Sequence, residues 1–147
     1  MIILGLDYGE QRIGVAVCDE LEVAAHPLPT IERDGAELEA IRRIAEERGV
    51  DQILVGLPLR TDGSEGPEAR RVRGFIKELR AELPQVEVLT QDERFSSTQA
   101  HQALSRMGAS RRQRRESVDG MAAQIILQRH LEKRRRQRRQ GSDGEAT

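Results

Sequence analysis

The chain opens with an apolar run that ends in an acid. Met1-Ile2-Ile3-Leu4-Gly5-Leu6 leads to Asp7-Tyr8-Gly9, and Arg12-Ile13-Gly14-Val15-Ala16-Val17 follows at once. This pattern predicts a short buried strand over Ile2–Leu6, a turn around Gly9 and a returning strand over Arg12–Val17. Asp7 would then lie at the open end of a sheet, where desolvating a carboxylate is costly unless a cation or several donors compensate it. Asp7 is therefore a candidate metal ligand, or it only closes the turn, because Asp and Gly are ordinary turn residues.

Composition limits what the rest of the chain can be. A length of 147 residues fits one domain, and with 2% aromatic residues and no Trp the core must be built from Leu, Ile, Val and Ala. Cys18 is the sole cysteine, which excludes an internal disulfide and a cysteine-cluster zinc site. The sequence shows no basic leader and no long apolar segment, so we expect a cytoplasmic protein with no membrane partner.

The charges are unevenly distributed although the net charge is only -1. Between Ala103 and Gln140 the basic residues are Arg106, Arg111, Arg112, Arg114, Arg115, Arg129, Lys133, Arg134, Arg135, Arg136, Arg138 and Arg139, and the acids are Glu116, Asp119 and Glu132. Arginine forks match phosphate oxygens, so this third of the chain favours a nucleic-acid partner. The alternative is a solvated helix surface followed by a solubilising tail.

Strands and helices alternate through the middle of the chain. The predicted elements are a third strand at Ala24–Ile31, a helix at Ala36–Arg48 that ends at Gly49, a buried strand at Gln52–Pro58, a helix at Glu68–Leu83 and a fifth strand at Val86–Thr90. Beyond them we expect a helix through Ala100, Ala103 and Leu104, a connector over Gly108–Arg115 and a last helix from Glu116 to about Arg136. The polar residues 137–147 are expected to be disordered.

Acids recur where these elements would present them to one edge. Asp92 and Glu93 follow the fifth strand, and Asp119 shares a helix face with Ala122, Ala123 and Ile126. Hard divalent cations prefer carboxylate oxygens, and a pair of them about 4 Å apart can cleave phosphodiesters. Simpler explanations exist, since Asp119 lies near a helix N-terminus and the acids at 92 and 93 could pair with Arg94.

The order of elements favours a known plan. Three strands, then alternating helices and strands, with acids after the first strand, after the fifth and on the last helix, fit a ribonuclease-H-like α/β domain. We therefore expect a mixed five-stranded sheet flanked by helices, formed by residues 1–136, followed by the tail at 137–147.

Four ordered motifs make the resemblance specific. They are Leu6-Asp7-Tyr8-Gly9 with Arg12-Ile13-Gly14-Val15-Ala16, Val55-Gly56-Leu57-Pro58 with Asp62-Gly63-Ser64, Asp92-Glu93-Arg94, and Val118-Asp119 with Ala122-Ala123. Together they span nearly the whole chain and resemble the YqgF family. That family is ribonuclease-H-like; it was first described as Holliday junction resolvases and is now generally regarded as nucleases that mature the precursor of 16S ribosomal RNA.

The resemblance implies a set of site residues. It makes Asp7, Glu93 and Asp119 the catalytic and metal-binding carboxylates for Mg²⁺ or Mn²⁺, with Asp92 as the alternative in the middle position. Many ribonuclease-H-like nucleases have an acid at the end of the fourth strand, where this chain has Gly56-Leu57-Pro58. The expected contacts to nucleic acid are Arg12, Arg94, Arg111, Arg112, Arg114 and Arg115, although Arg12 and Arg94 could instead brace the acids.

The leading interpretation is a metal-dependent endonuclease acting on precursor ribosomal RNA, with a homodimer left open. A resolvase acting on branched DNA is the alternative, because phosphate contacts dominate recognition of both substrates. An RNA-binding assembly factor with a degenerate site would not need the acids. An actin-like ATPase also opens with a strand and an Asp-x-Gly turn, but its second lobe does not fit in this length.

Overall fold

The computed structural model describes residues 1–93 and 111–145, with side chains described over 1–93 and 120–139. Its elements in chain order are β1 (Ile3–Tyr8), β2 (Arg12–Cys18), β3 (Ala25–Glu32), α1 (Glu37–Arg48), β4 (Gln52–Leu57), α2 (Pro67–Glu82), β5 (Glu87–Asp92) and α3 (Arg111–Glu145). The five predicted strands and the two central helices are therefore confirmed, within one or two residues at most ends.

The strands form one mixed sheet in the order β3-β2-β1-β4-β5. β2 is antiparallel to β1 and to β3, whereas β1, β4 and β5 are parallel. The carboxyl ends of these three parallel strands therefore meet at one edge of the sheet. β5 continues to Asp92, two residues beyond its predicted end at Thr90, and this extension brings Glu93 to that edge.

Strand alternation gives the sheet two different faces. Leu4 and Leu6 of β1 belong to a large apolar core beneath α1 and α2. Ile3 of β1 instead packs with Ala123, Ile126, Leu127 and Leu131 of α3, so that position 7, like positions 3 and 5, faces α3. A polar residue on this face is surrounded by the buried side of a helix.

α3 crosses this second face antiparallel to β1. The Gln124 side chain donates to the Ala25 carbonyl at 3.0 Å, and the Ala25 N–H donates to Gln128 at 3.0 Å. Gly120 of α3 lies opposite Pro27, which is two residues after Ala25 in β3. Since β3 and β1 both run antiparallel to β2, the N-terminal turns of α3 lie toward the edge that carries Asp7.

α3 is longer than the sequence predicted. The expected helix covered Glu116 to about Arg136, whereas the helix begins at Arg111 and ends at Glu145. The helix thus covers residues 137–145, for which the sequence predicts a disordered tail. The predicted helix through Ala100 lies outside the described residues, and none of the described helices is long and apolar enough to cross a membrane.

Candidate active site

Asp7 and Glu93 form a carboxyl pair at the carboxyl edge of the sheet. Asp7 is only 7% exposed, and its side chain is hydrogen-bonded to that of Glu93. The Glu93 N–H donates to the Leu57 carbonyl at 3.2 Å, which continues the β4–β5 pairing by one residue. Because two ionised carboxylates cannot share a hydrogen bond, the pair holds a proton when no cation is bound.

The pKa values of both acids reflect this environment. Burial raises the pKa of Glu93 to about 10, and the neighbouring charge of Asp7 adds to the effect. Burial also raises the pKa of Asp7, while the hydrogen bond from Glu93 acts in the opposite direction. Near neutral pH the pair therefore carries less negative charge than two free carboxylates would.

One oxygen of the pair has no partner among the described residues. The Oε2 atom of Glu93 is buried and accepts no hydrogen bond. An orphaned acceptor beside a second buried carboxylate is a donor set that suits a hard divalent cation. Within the described residues no group of three such ligands occurs, and the side chain of Asp119 lies outside them.

The backbone of α3 carries position 119 toward the edge of the sheet that holds this pair. A Cβ on Gly5 would lie 3.1 Å from Cβ of Leu127 and 3.3 Å from the carbonyl oxygen of Ala123, so Gly5 lies beneath the helix turn between these two residues. Asp7 is two strand residues beyond Gly5, about 6.6 Å, and Asp119 is four helix residues before Ala123, about 6 Å. Both displacements run toward the same edge of the sheet, because the helix is antiparallel to the strand.

A cleft of about 230 Å³ opens over the carboxyl pair. Its lining residues are Asp7, Tyr8, Gly9, Glu10, Pro58, Glu68, Arg71, Val72 and Glu93. A second cleft of about 460 Å³ shares Pro58, Glu68 and Arg71 with it and adds Arg60 on its far wall. The two clefts form a groove that leads from the acids past two arginines.

Sequence reasoning missed both of these arginines. A Cβ on Gly66 would lie 2.8 Å from Nε of Arg60, so the guanidinium rests on bare backbone beside the first turn of α2. Arg71 lies one turn into that helix, and its guanidinium is 3.9 Å from Glu10. The sequence position of Arg60 could have indicated its role, since it follows the end of β4 in the loop that leads to α2.

The turn after Asp7 is held by contacts that sequence reasoning also missed. The Arg33 guanidinium lies 4.2 Å from the centre of the Tyr8 ring and donates to the carbonyls of Gly9 and Glu10 at 2.9 Å. The Tyr8 ring stacks on Phe75 of α2 with 4.2 Å between their centres. Asp7 is thus followed by a braced segment.

The predicted basic contacts have different locations. Register and alternation put Arg12 on the same face of the sheet as Asp7, two residues along β2 from Gly14, which pairs with Asp7. Arg94 lies outside the described residues. The remaining predicted contacts lie in the first two turns of α3, where the structure describes the backbone alone; they are Arg111, Arg112, Arg114 and Arg115.

Known proteins resemble the chain over most of its length. The sequence model of the RuvX family, described as Holliday junction resolvase, matches residues 1–133. The chain belongs to the RuvX family. This is the family that the sequence motifs indicate under the name YqgF, and its members are nucleases, hydrolases of phosphodiester bonds.

Curated members of the RuvX family align with nearly the whole chain. A protein of Syntrophus aciditrophicus is 42% identical over 134 residues, which cover 90% of this chain and 89% of that protein. A protein of Anaeromyxobacter sp. strain K is 44% identical over 136 residues, covering 91% of this chain and 98% of the relative. Both relatives bear the name "Putative pre-16S rRNA nuclease".

Solved structures confirm the fold. Thermus thermophilus RuvC in complex with a Holliday junction substrate superposes with a TM-score of 0.57 at 16% identity, covering 91% of this chain and 95% of RuvC. The fowlpox virus Holliday junction resolvase gives a TM-score of 0.50 at 14% identity, with coverage of 90% and 99%. The ribonuclease-H-like fold predicted from the order of elements is therefore confirmed.

Proposed function

We propose that this RuvX-family chain is a divalent-metal-dependent endonuclease that matures the precursor of 16S ribosomal RNA in the cytoplasm. The observation that carries the proposal is the buried pair of Asp7 and Glu93 in the wall of an open cleft, with the Oε2 atom of Glu93 lacking a partner. The names of the curated relatives support the choice of substrate. We assign the activity to residues 1–136.

Asp7 and Glu93, together with Asp119, are the residues that would hold Mg²⁺ or Mn²⁺. Such ions, when bound, activate a water molecule and stabilise the leaving oxygen of a phosphodiester. Asp7 and Glu93 supply the negative charge, because the proton they share leaves when a cation enters. Asp92 remains the alternative ligand in the middle position.

The basic residues around the groove orient the substrate. Arg60 and Arg71 line its walls, and Arg12 lies on the same face of the sheet as Asp7. Guanidinium groups bind phosphate oxygens in a planar, bidentate manner, so they can fix the backbone without reading its sequence. We propose the same contribution for Arg94, Arg111, Arg112, Arg114 and Arg115, which follow the carboxylate motif or begin α3.

Resolution of Holliday junctions is the second candidate. It rests on the description of the family and on the RuvC fold, whose determined structure contains a junction substrate. Both candidates use the same carboxylates and the same phosphate contacts, and they differ in the shape of nucleic acid that enters the groove. A homodimer would suit a two-fold symmetric junction, and it stays a prediction.

One assay tests both candidates. Purified protein is incubated with a precursor 16S RNA fragment, a four-way DNA junction and linear RNA and DNA controls, each with Mg²⁺, Mn²⁺ or a chelator. We expect cleavage of the RNA precursor that requires a divalent cation and disappears in Asp7→Asn. Symmetric cleavage of the junction alone would replace the first candidate by the second, and cleavage that survives both the chelator and Asp7→Asn would exclude this site.

A further inference from the structure

The C-terminal part of α3 is fastened to the sheet by one buried acid. Glu22, in the turn between β2 and β3, is only 5% exposed. Its carboxylate accepts from Arg134 Nε at 2.6 Å and from Arg138 at 3.4 Å, and it lies 3.9 Å from the N-terminal amine. A buried carboxylate with this set of cations is compensated, so Glu22 can hold two successive turns of the helix.

The backbone of the same turn adds to the attachment. Glu22 has a positive φ of 54°, which is unusual for a residue with a side chain. The Arg135 guanidinium donates to the carbonyl of the next residue, Val23, at 3.1 Å. Three of the arginines after residue 133, where the family match ends, are therefore bound to the protein itself.

The remaining cations of this segment point away from the sheet. At 100° per residue, the attached positions Leu131, Arg134 and Arg138 lie on one side of the helix, and Lys133 and Arg136 lie on the opposite side. Arg139 lies between the two sides, next to the attached Arg135. Lys133, Arg136 and Arg139 are all exposed, and one exposed acid, Glu132, lies among them one turn before Arg136. Glu22 thus turns an arginine-rich helix end into a fixed basic surface, which we define as Lys133, Arg136 and Arg139.

This basic surface is far from the carboxyl pair. α3 runs antiparallel to β1, so its C-terminal turns lie toward the opposite edge of the sheet from Asp7. Position 136 is 17 helix residues from position 119, about 25 Å at 1.5 Å per residue. A nucleic acid that touches both places must span about seven base pairs at the 3.4 Å spacing of a duplex.

We infer that the basic surface of α3 is a second nucleic-acid contact, which binds the phosphate backbone of a duplex about seven base pairs from the active site. The inference rests on the proposed function for the location of the active site. Glu22 is a positioning residue, because it acts only by holding the helix. The competing explanation is a solvated surface that binds nothing.

The test uses binding without cleavage, in the presence of a chelator. The full-length protein is compared with a triple variant, Lys133→Gln, Arg136→Gln and Arg139→Gln, and with a matched control, Arg43→Gln, Arg48→Gln and Lys77→Gln. The control removes the same charge from exposed positions of α1 and α2, on the other face of the sheet. Fluorescent duplexes of RNA and of DNA, about six and about twenty base pairs long, are the ligands.

We expect the triple variant to bind the long duplexes about tenfold more weakly, with a salt slope lower by about 2 to 3, because each lost phosphate contact contributes about 0.9. Binding of the short duplexes and all binding by the control should equal wild type. Glu22→Gln should weaken binding of the long duplexes but not of the short ones. It should also accelerate hydrogen exchange in residues 134–139. Glu22→Asp keeps the charge, and binding of the long duplexes closer to wild type in this variant than in Glu22→Gln would support a positioning role.

An equal loss of affinity for the long duplexes in the triple variant and the control would show that only net charge matters, and it would overturn the inference. An unchanged salt slope in the triple variant would also overturn it. These outcomes are separate from the test of the proposed function. If the wild-type protein cleaves no substrate but the triple variant loses affinity for the long duplexes alone, the contact is retained and the proposed function fails. A protein that cleaves normally and binds long duplexes equally well in all variants lacks it.

Discussion

Glu93 occupies the space that a side chain on Gly56 would fill. A Cβ on Gly56 would lie 2.9 Å from Cδ of Glu93 and 2.6 Å from Cδ1 of Ile126, both closer than real Cβ atoms approach. The wider superfamily often has an acid at the end of the fourth strand, whereas here the fourth strand is bare and the acid enters from β5. The carboxylate therefore reaches Asp7 from the neighbouring strand.

This relationship predicts that Gly56→Ala disables the site. The added methyl group must displace the Glu93 carboxylate or Ile126, and overpacking of this kind costs about 1–3 kcal/mol in free energy of unfolding. We expect the cleavage rate to fall about a hundredfold, as for a catalytic group displaced by about 1 Å. Cleavage kinetics and urea unfolding measure the two effects.

Gly74→Ala is the matched control for this substitution. Gly74 lies in α2, and a Cβ there would meet nothing within 4 Å. Alanine in a helix interior is about 0.5–1 kcal/mol more favourable than glycine, so this variant should be slightly more stable and fully active. Full activity in Gly56→Ala would show that Glu93 can move without loss.

Asp7→Asn should abolish cleavage while leaving the fold and RNA affinity nearly intact. The substitution removes a charge from the proposed metal ligand with little change of volume. The stability of the metal-free protein should be unchanged or higher, because the repulsion within the carboxyl pair is relieved. Turnover, RNA binding in a chelator and thermal unfolding test the three parts, and near-normal turnover would remove Asp7 from the mechanism.

Glu93→Gln should damage catalysis more than Asp92→Asn. Val88 of β5 packs beneath α1 and α2, so alternation sends position 92 to that face and position 93 toward α3. The Asp92 variant is thus a control for loss of charge one residue away. We expect loss of most activity in the first variant and a smaller effect in the second, and the reverse order of severity would make Asp92 the ligand.

The carboxyl pair should make the metal-free protein less stable as pH rises. The pKa of Glu93 is about 10 in the folded state against 4.5 as the ordinary value, so between these pH values the folded state binds a proton that the unfolded chain has lost. Stability therefore falls with increasing pH across this window. Between about pH 7 and 8, below the ordinary pKa of the cysteine thiol, the loss should reach about 1.4 kcal/mol.

Urea unfolding in a chelator at several pH values measures this slope. Glu93→Gln should flatten it, because glutamine cannot release a proton, and should raise stability most at the alkaline end. A wild-type slope of zero, or an unchanged slope in Glu93→Gln, would show that the pair does not hold its proton in the folded state.

The sequence predicted the parts of this protein that depend on local pattern. The apolar run before Asp7 and the helix that ends at Gly49 follow from periodicity and end signals, and the structure confirms both. The choice between Asp92 and Glu93 remained open from the residues alone because the predicted strand stopped at Thr90. The longer β5 supplies the alternation that separates them.

Contacts between distant residues could not be predicted. Arg33 on Tyr8 and Glu22 on Arg134 join segments 25 and 112 residues apart, and no local pattern indicates such pairs. The attachment of α3 to the sheet has the same origin. Its polar C-terminal turns resemble a disordered tail in composition, but they are held by an acid in the turn after β2.

The groove beside the carboxyl pair supplies the last prediction. Arg71 lines the cleft over the acids, and Arg60 lies on the wall of the adjoining cleft. Replacing both by Gln should therefore raise KM for the nucleic acid at least about tenfold, because two phosphate contacts are lost.

The value of kcat should change far less, since uniform binding of ground state and transition state affects KM alone. Arg43→Gln with Arg48→Gln on α1 is the matched control, and it should leave both constants unchanged. Steady-state kinetics at two salt concentrations separate the effects. A fall in kcat with constant KM would instead place these arginines in contact with the transition state, and no change in either constant would remove the groove from the path of the substrate.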